Sequence, residues 1–294
     1  MRKKFIFLAF FLSFNCLAEA LEVDEVVAYR GTISDQNVFM TLSAKKDRVV
    51  GSYFYDRYKV PIALHGSVSG SRLLLIEETI AGNAYVELEN SRGIISGAWV
   101  LGERKYKVQA KALSVSYQDL ITEIEVVGID SADKKLLINF IGGERQSIEF
   151  STLEASVLII FEDYTFDGFP DMRILEFEAG GNSSFIYFDY DVATGRYVNS
   201  SAEISALVSP RVIHNERAVI SISKDGCCVY QVKKITPKEV HFANYNFDSK
   251  VGFLSIASRD TGGVSKKPIT QKQFEESYLS YMSPVRTPNS DGWY

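Results

Sequence analysis

Apolar and polar residues alternate in short runs along almost the whole chain, and clusters of turn-forming residues divide the runs. Period-two alternation puts successive side chains on opposite faces, so each run predicts a β-strand with one buried face. In the first part the predicted strands span 25–31, 37–44, 48–55, 60–68, 72–79, 84–89, 93–100 and 105–113. The gaps between them are short and hold turn formers, as in "SGS" (69–71) and "NSRG" (90–93). Connections this short join antiparallel neighbours. Residues 21–113 are therefore expected to form an N-terminal antiparallel meander, either a curved sheet or a small barrel, since curling or closure removes exposed edges. Gly51, Gly66 and Gly97 recur within this pattern, with Trp99 close to the last, and are assigned to turn geometry.

The polar stretch 114–122 breaks the rhythm and predicts a boundary. Beyond it, 122–283 reads as a second antiparallel β domain, propeller- or sandwich-like. Its strands are expected at 124–128, 135–141, 146–150, 155–161, 172–178, 184–191, 196–200, 217–224, 228–235, 240–247 and 252–258. Two short helices are expected, at 201–207 with Ser201 as N-cap and at 271–282. Residues 284–294 read as a loose tail. The predicted fold class is all-β.

Composition adds a compartment. Arg2, Lys3 and Lys4 precede an apolar run over 5–14, and Ala18-Glu19-Ala20 closes it with a small-x-small pattern. Residues 1–20 thus read as a secretory signal peptide cleaved after Ala20, which implies a periplasmic or secreted protein. The apolar run is too short to span a bilayer, and no other segment approaches the roughly 20 apolar residues that a spanning helix needs. Residues 1–20 hold three of the 32 basic residues and one of the 37 acidic ones, so without them the formal charge moves from −5 to −7. An acidic balance argues against nucleic acid and suits a basic protein partner. Beyond Cys16 there are only Cys227 and Cys228, adjacent in sequence. They could form a disulfide with each other, pair between chains or stay reduced, and the fold does not depend on a disulfide framework. His65, His214 and His241 are scattered without ligand spacing and read as structural.

One stretch carries candidate chemistry. "DYTFDGFPD" (163–171) gathers Asp163, Asp167 and Asp171 directly after the apolar run 155–161. Like charges so close repel, and a bound cation would offset the repulsion. The order of residues follows the first two-thirds of a calcium loop. Asp163, Thr165 and Asp167 would supply side-chain oxygens, Gly168 the sharp turn, Phe169 a carbonyl and Asp171 a further oxygen. No Glu closes the loop; Ile174 stands in that place. Calcium is the cation this oxygen set implies, and an acidic turn without metal is the blander alternative.

The segment 163–200 resembles the calcium-loop-and-hairpin region of a family of bacterial secreted proteins. Its pattern is D-x-N-F-D-G-Y-x-D, then a turn, then Y-x-Y-D-x-x-T-G-x-F/Y, with Thr165 here in place of the usual Asn. That family includes periplasmic immunity proteins that inhibit lysozyme-like peptidoglycan hydrolases. The resemblance implies a basic lysozyme-like hydrolase as partner. It also implies that the hairpin residues Thr194, Gly195, Arg196 and Tyr197 enter the partner's cleft. A plain hairpin turn explains the same residues without a partner. No nucleophile elbow, zinc-protease or phosphate-loop motif occurs, so a non-enzymatic role is expected. The alternative to an inhibitor is a calcium-stabilised carbohydrate- or cell-envelope-binding module.

Overall fold

The computed structural model describes residues 21–128 and 132–282, so the expected signal peptide (1–20) and tail (284–294) lie outside the described residues. Eight strands follow one another as hairpins: β1 (Leu21–Ile33), β2 (Gln36–Lys45), β3 (Arg48–Tyr55), β4 (Ile62–Ser69), β5 (Arg72–Thr79), β6 (Gly82–Ser91), β7 (Ile94–Leu101) and β8 (Arg104–Ala112). β8 returns to β1, with Tyr29 opposite Ala112 and Ile33 opposite Val108, so the meander closes into a barrel. Gly31 permits that closure, because a Cβ there would lie 2.0 Å from the Gln109 carbonyl oxygen. Gly51, Gly66 and Gly97 are likewise strand residues and not turn residues, which corrects the expectation. A Cβ at these positions would meet the carbonyl oxygens of Thr41, Leu74 and Glu87 at 2.1, 2.0 and 1.9 Å. Missing side chains let neighbouring strands bend tightly across one another.

Alternate residues of the eight strands point inward, and Val38, Leu64, Leu75, Val86, Ile95 and Val108 are fully buried there. At the end bounded by the β5–β6 turn the filling becomes polar. Buried Glu77 accepts hydrogen bonds from the Tyr53 hydroxyl and the Trp99 indole N–H, both at 2.7 Å. Two donors on one carboxylate satisfy much of what burial removes, and Glu77 also lines a shallow opening with Ile62 and His65.

The second half contains β9 (Ile121–Gly128), β10 (Asp133–Phe140) and β11 (Arg145–Ser151), which form one antiparallel sheet. Next come β12 (Val157–Glu162), β13 (Asp171–Ala179), β14 (Asn182–Asp191) and β15 (Arg196–Asn199). After the short helix α1 (Ala202–Ser205), capped by Ser201, a six-stranded sheet follows. It is made of β16 (Pro210–Ile213), β17 (Ala218–Asp225), β18 (Val229–Ile235), β19 (Glu239–Asn246), β20 (Val251–Ser258) and β21 (Val264–Pro268). Helix α2 (Gln271–Ser277) begins with a capping box between Thr270 and Gln273.

These sheets stack, so the sandwich form of the expectation is found and not the propeller. One face of β12 and β13 packs Ile159, Phe161, Met172 and Ile174 against Leu136, Ile138 and Phe140 of β10. The other face packs Leu158, Ile160 and Leu175 against Val219 and Ile235 of the six-stranded sheet. Covered on both sides, all of β12 is buried, which is why 155–161 reads as one apolar run without alternation. The far face of the six-stranded sheet receives α2, whose Phe274 is fully buried against Tyr245. Burial of that one ring contributes about 1.5–3 kcal/mol.

The two halves share a strand. Along one edge of β1, Leu21–Val26 pairs in parallel with β12, while Tyr29–Ile33 pairs antiparallel with β8. The first strand of the barrel is thus also a strand of the central sheet. Period-two patterning did not signal this parallel pairing, nor the short strands β16 and β21.

Candidate functional site

The acidic loop joins β12 to β13, and its carboxylates are bound by the loop's own backbone. Asp163 accepts from the N–H groups of Asp167 (3.1 Å) and Gly168 (3.0 Å). Asp171 accepts from Tyr164 and Thr165, both at 2.9 Å, and from Tyr190 at 3.0 Å. Asp167 accepts from Phe169 at 2.9 Å. Phe166 (φ 62°) and Gly168 (φ 94°) turn the chain so that these amides face inward. Burial pushes the Asp171 carboxyl up to about 8, against its three N–H donors. Burial also raises Asp163, with the Asp167 charge adding to the rise and the two amides opposing it.

The loop has the oxygen chemistry of a hard-cation site, and its three carboxylates do not all lie within 4.8 Å of one another. Among the described residues, the one group of three Cys, His or carboxylate ligand atoms within 4.8 Å of one another is Cys227, Cys228 and Asp248. Asp163, Asp167 and Asp171 each hold a separate part of the backbone. Thr165 offers its N–H to Asp171, and the Phe169 ring stacks on Tyr190 at 5.4 Å. Backbone donors thus offset part of the charge repulsion within the loop.

The hairpin 191–197 is built the same way. Asp191 accepts from the Ala193 N–H (3.0 Å) and the Thr194 hydroxyl (2.8 Å), and Gly195 takes φ 66°. Arg196 makes an exposed pair with Glu144 at 3.1 Å. Tyr197 does not belong to a presented loop, and here the expectation is corrected. It is 2 % exposed, its hydroxyl donates to the Pro170 carbonyl at 3.1 Å, and its ring lies among Phe140, Phe161 and Tyr190. Alternation along β15 points Tyr197 into the sandwich, while Thr194 and Arg196 stay at the surface. Cys227 and Cys228 are joined as a disulfide in the β17–β18 turn.

Two features escaped the sequence reading. The first is a buried ionic cluster at the end of β12. Glu162 meets Arg173 at 2.8 Å and accepts from the His214 ring N–H at 3.0 Å, with all three side chains 5–6 % exposed. Burial pushes the Glu162 carboxyl up, but Arg173 and His214 together outweigh it and hold the group below its usual range. Beside them, burial pushes Asp24 up to about 6. One Asp24 oxygen and two Arg173 nitrogens find no protein partner. A Glu closing the apolar run "VLIIFE" and an Arg between Met172 and Ile174 were the available signal.

The second feature is the open end of the barrel, opposite Glu77. It leads into a cavity of about 710 Å³. Val27, Leu42, Val49, Val68 and Leu73 form apolar walls, and Lys46 and Arg92 stand on the hairpin turns at its rim. The segment after β8 contributes Ser116, Tyr117 and Asp119 to the same opening. Partly buried Glu25 lies there too and accepts from the Tyr117 N–H at 2.9 Å. Burial pushes its carboxyl up, against Ser116 and Tyr117.

With this geometry in place, the chain was compared with protein-family models, curated proteins and solved structures, and none matches.

Proposed function

We propose that this protein is an exported, non-enzymatic binding protein that holds a small ligand in the open end of its barrel. The observation that carries the reading is the 710 Å³ cavity, whose lining is about equally polar and apolar, with aliphatic side chains toward the barrel interior and polar groups at the rim. Ligand sites are concave, mostly apolar and of about 300–1,000 Å³, and barrel mouths are a common place for them. At the far end Glu77 lines a second, shallower opening with Ile62 and His65, and the end rimmed by Lys46 and Arg92 forms the proposed cup. The leader pattern of 1–20 and the Cys227–Cys228 disulfide support export.

The test is native mass spectrometry after exposure to a small-molecule extract of bacterial envelopes. Wild type should retain a ligand mass, and Val68→Trp, which fills the mouth, should lose it while melting normally. Retention by both proteins, or by neither, refutes the reading.

Inhibition of a lysozyme-like hydrolase is the second reading. It rests on the acidic charge and on the exposed Thr194 and Arg196, with Tyr197 removed from the contact. A peptidoglycan-degradation assay with wild type and Arg196→Ala tests it. Equal degradation with and without the wild-type protein would dismiss it.

A further inference from the structure

Tyr29 lines the cavity and is 5 % exposed, yet among the described residues its hydroxyl has no hydrogen-bond partner. The hydroxyl is not among the fully buried unpartnered atoms, so it opens to the cavity and can donate to what occupies it. Its pKa is pushed up by burial and then by Glu25, which puts the hydroxyl within the electrostatic reach of that carboxyl and on the cavity side of β1. The wall formed by β2 to β5 is chemically different. Leu42, Val49, Val68 and Leu73 offer no polar atom. A sugar would leave its hydroxyls without partners along that wall, and an alkyl chain would not.

Charge at the rim narrows the class further. Arg92 sits on the β6–β7 turn with φ 51° and is exposed, without an ion pair among the described residues. Lys46, on the β2–β3 turn, is 70 % exposed and stands 3.8 Å from Glu22, which is held more closely by Lys45 at 2.7 Å. Both cations can turn to a ligand with little loss. The acids lining the same opening are Glu25 and Asp119, on β1 and on the segment after β8, and Asp47 stands beside Lys46 in the β2–β3 turn without lining the cavity. In a protein of net acidic charge, Lys46 and Arg92 stand on two separate turns of one rim, with the β4–β5 turn between them, and can reach an acid group from two sides.

Resting on the binding reading above, we propose that the ligand is an anionic single-chain amphiphile. Its alkyl chain lies against Leu42, Val49, Val68 and Leu73, its acid group meets Lys46 and Arg92, and an oxygen beside the acid accepts from the Tyr29 hydroxyl. Isothermal titration with dodecyl phosphate and dodecyltrimethylammonium, both below their micelle concentrations, tests this class directly. Wild type should bind dodecyl phosphate at least about tenfold more tightly, a difference of about 1.4 kcal/mol. Lys46→Glu with Arg92→Glu should remove that preference, and Tyr29→Phe should weaken dodecyl phosphate binding by about fivefold, as for one hydrogen bond, with unchanged melting. Equal binding of the two probes, no binding of dodecyl phosphate, or indifference to charge reversal overturns the ligand class. The cup itself fails separately, if Val68→Trp leaves the retention of envelope ligands unchanged.

Discussion

Substitution of Arg173 by Met keeps the length of a buried side chain and removes its charge, and its effect follows from the Glu162–Arg173–His214 cluster. Glu162 would be left 4 % exposed with His214 as its one close partner. Breaking a buried pair costs about 3–5 kcal/mol, because the remaining charge is uncompensated. Two Arg173 nitrogens are already unpartnered, and each weighs against folding by about 1 kcal/mol or more, a burden that leaves with the side chain. The net destabilisation expected is therefore about 1–3 kcal/mol, read from urea unfolding at neutral pH. The pH dependence gives a sharper check. In wild type the Glu162 pKa is held below its unfolded value, so its contribution is present above that value and fades as pH falls. Without Arg173, burial raises the same carboxyl, and stability is then lost as pH rises through the acid range. The difference between the two proteins must grow from pH 4 toward pH 7. A double change, Glu162→Gln with Arg173→Met, should lose less than the sum of the single changes. A single-mutant effect under about 1 kcal/mol, or one that shrinks with rising pH, refutes this account of the cluster.

Other expectations concern the loop, the hairpin and the barrel plug. Asp163→Ala should destabilise by about 1–3 kcal/mol by orphaning the Asp167 and Gly168 amides, and a calcium chelator should leave the wild-type melting temperature unchanged; a chelator-induced drop would show that a cation completes the loop. Tyr197→Ala should cost about 3–5 kcal/mol as a core truncation, whereas Arg196→Ala should fall within about 0.5 kcal/mol; chemical denaturation of both distinguishes a core tyrosine from a displayed one. Glu77→Leu strands the Tyr53 hydroxyl and the Trp99 indole N–H, and should lower stability by about 2 kcal/mol or more with a shift in tryptophan fluorescence. Because the Asp171 pKa is raised by burial to about 8, this group makes the protein less stable as pH rises from about 4 to 8, and Asp171→Ser should flatten that slope in pH-dependent melting.

The strands were legible because their chemistry is local. β3 and β5 fall where alternation put them, and the turn formers between β1 and β8 fixed antiparallel neighbours. Barrel closure was legible only as a choice, since the pairing of Gly31 with Ala110 joins residues far apart in sequence. The parallel pairing of Leu21 with Val157 left no local trace at all. The acidic loop was found as a cluster, but residue types do not say whether a carboxylate faces an ion or an amide. The same limit applies to Tyr197: a T-G-x-Y signature marks a hairpin, and the direction of its tyrosine depends on which face of β15 is covered. The barrel mouth was invisible because its walls are ordinary core residues that become a site only where the filling stops.

The sharing of β1 between barrel and central sheet also has a consequence for the order in which the chain can fold. All eight barrel strands precede residue 113, so hairpins can zip one after another and the barrel can close while the later chain is still emerging. At that moment Asp24–Val26 has β2 on one side and nothing on the other, and Leu21–Val23 is paired on neither side, because the partner β12 begins only at Val157. An unpaired edge of this kind invites addition of a strand from another molecule. Slowing the arrival of β12, for instance by destabilising the sandwich that holds it, should therefore promote association through the beginning of β1 and leave the barrel intact.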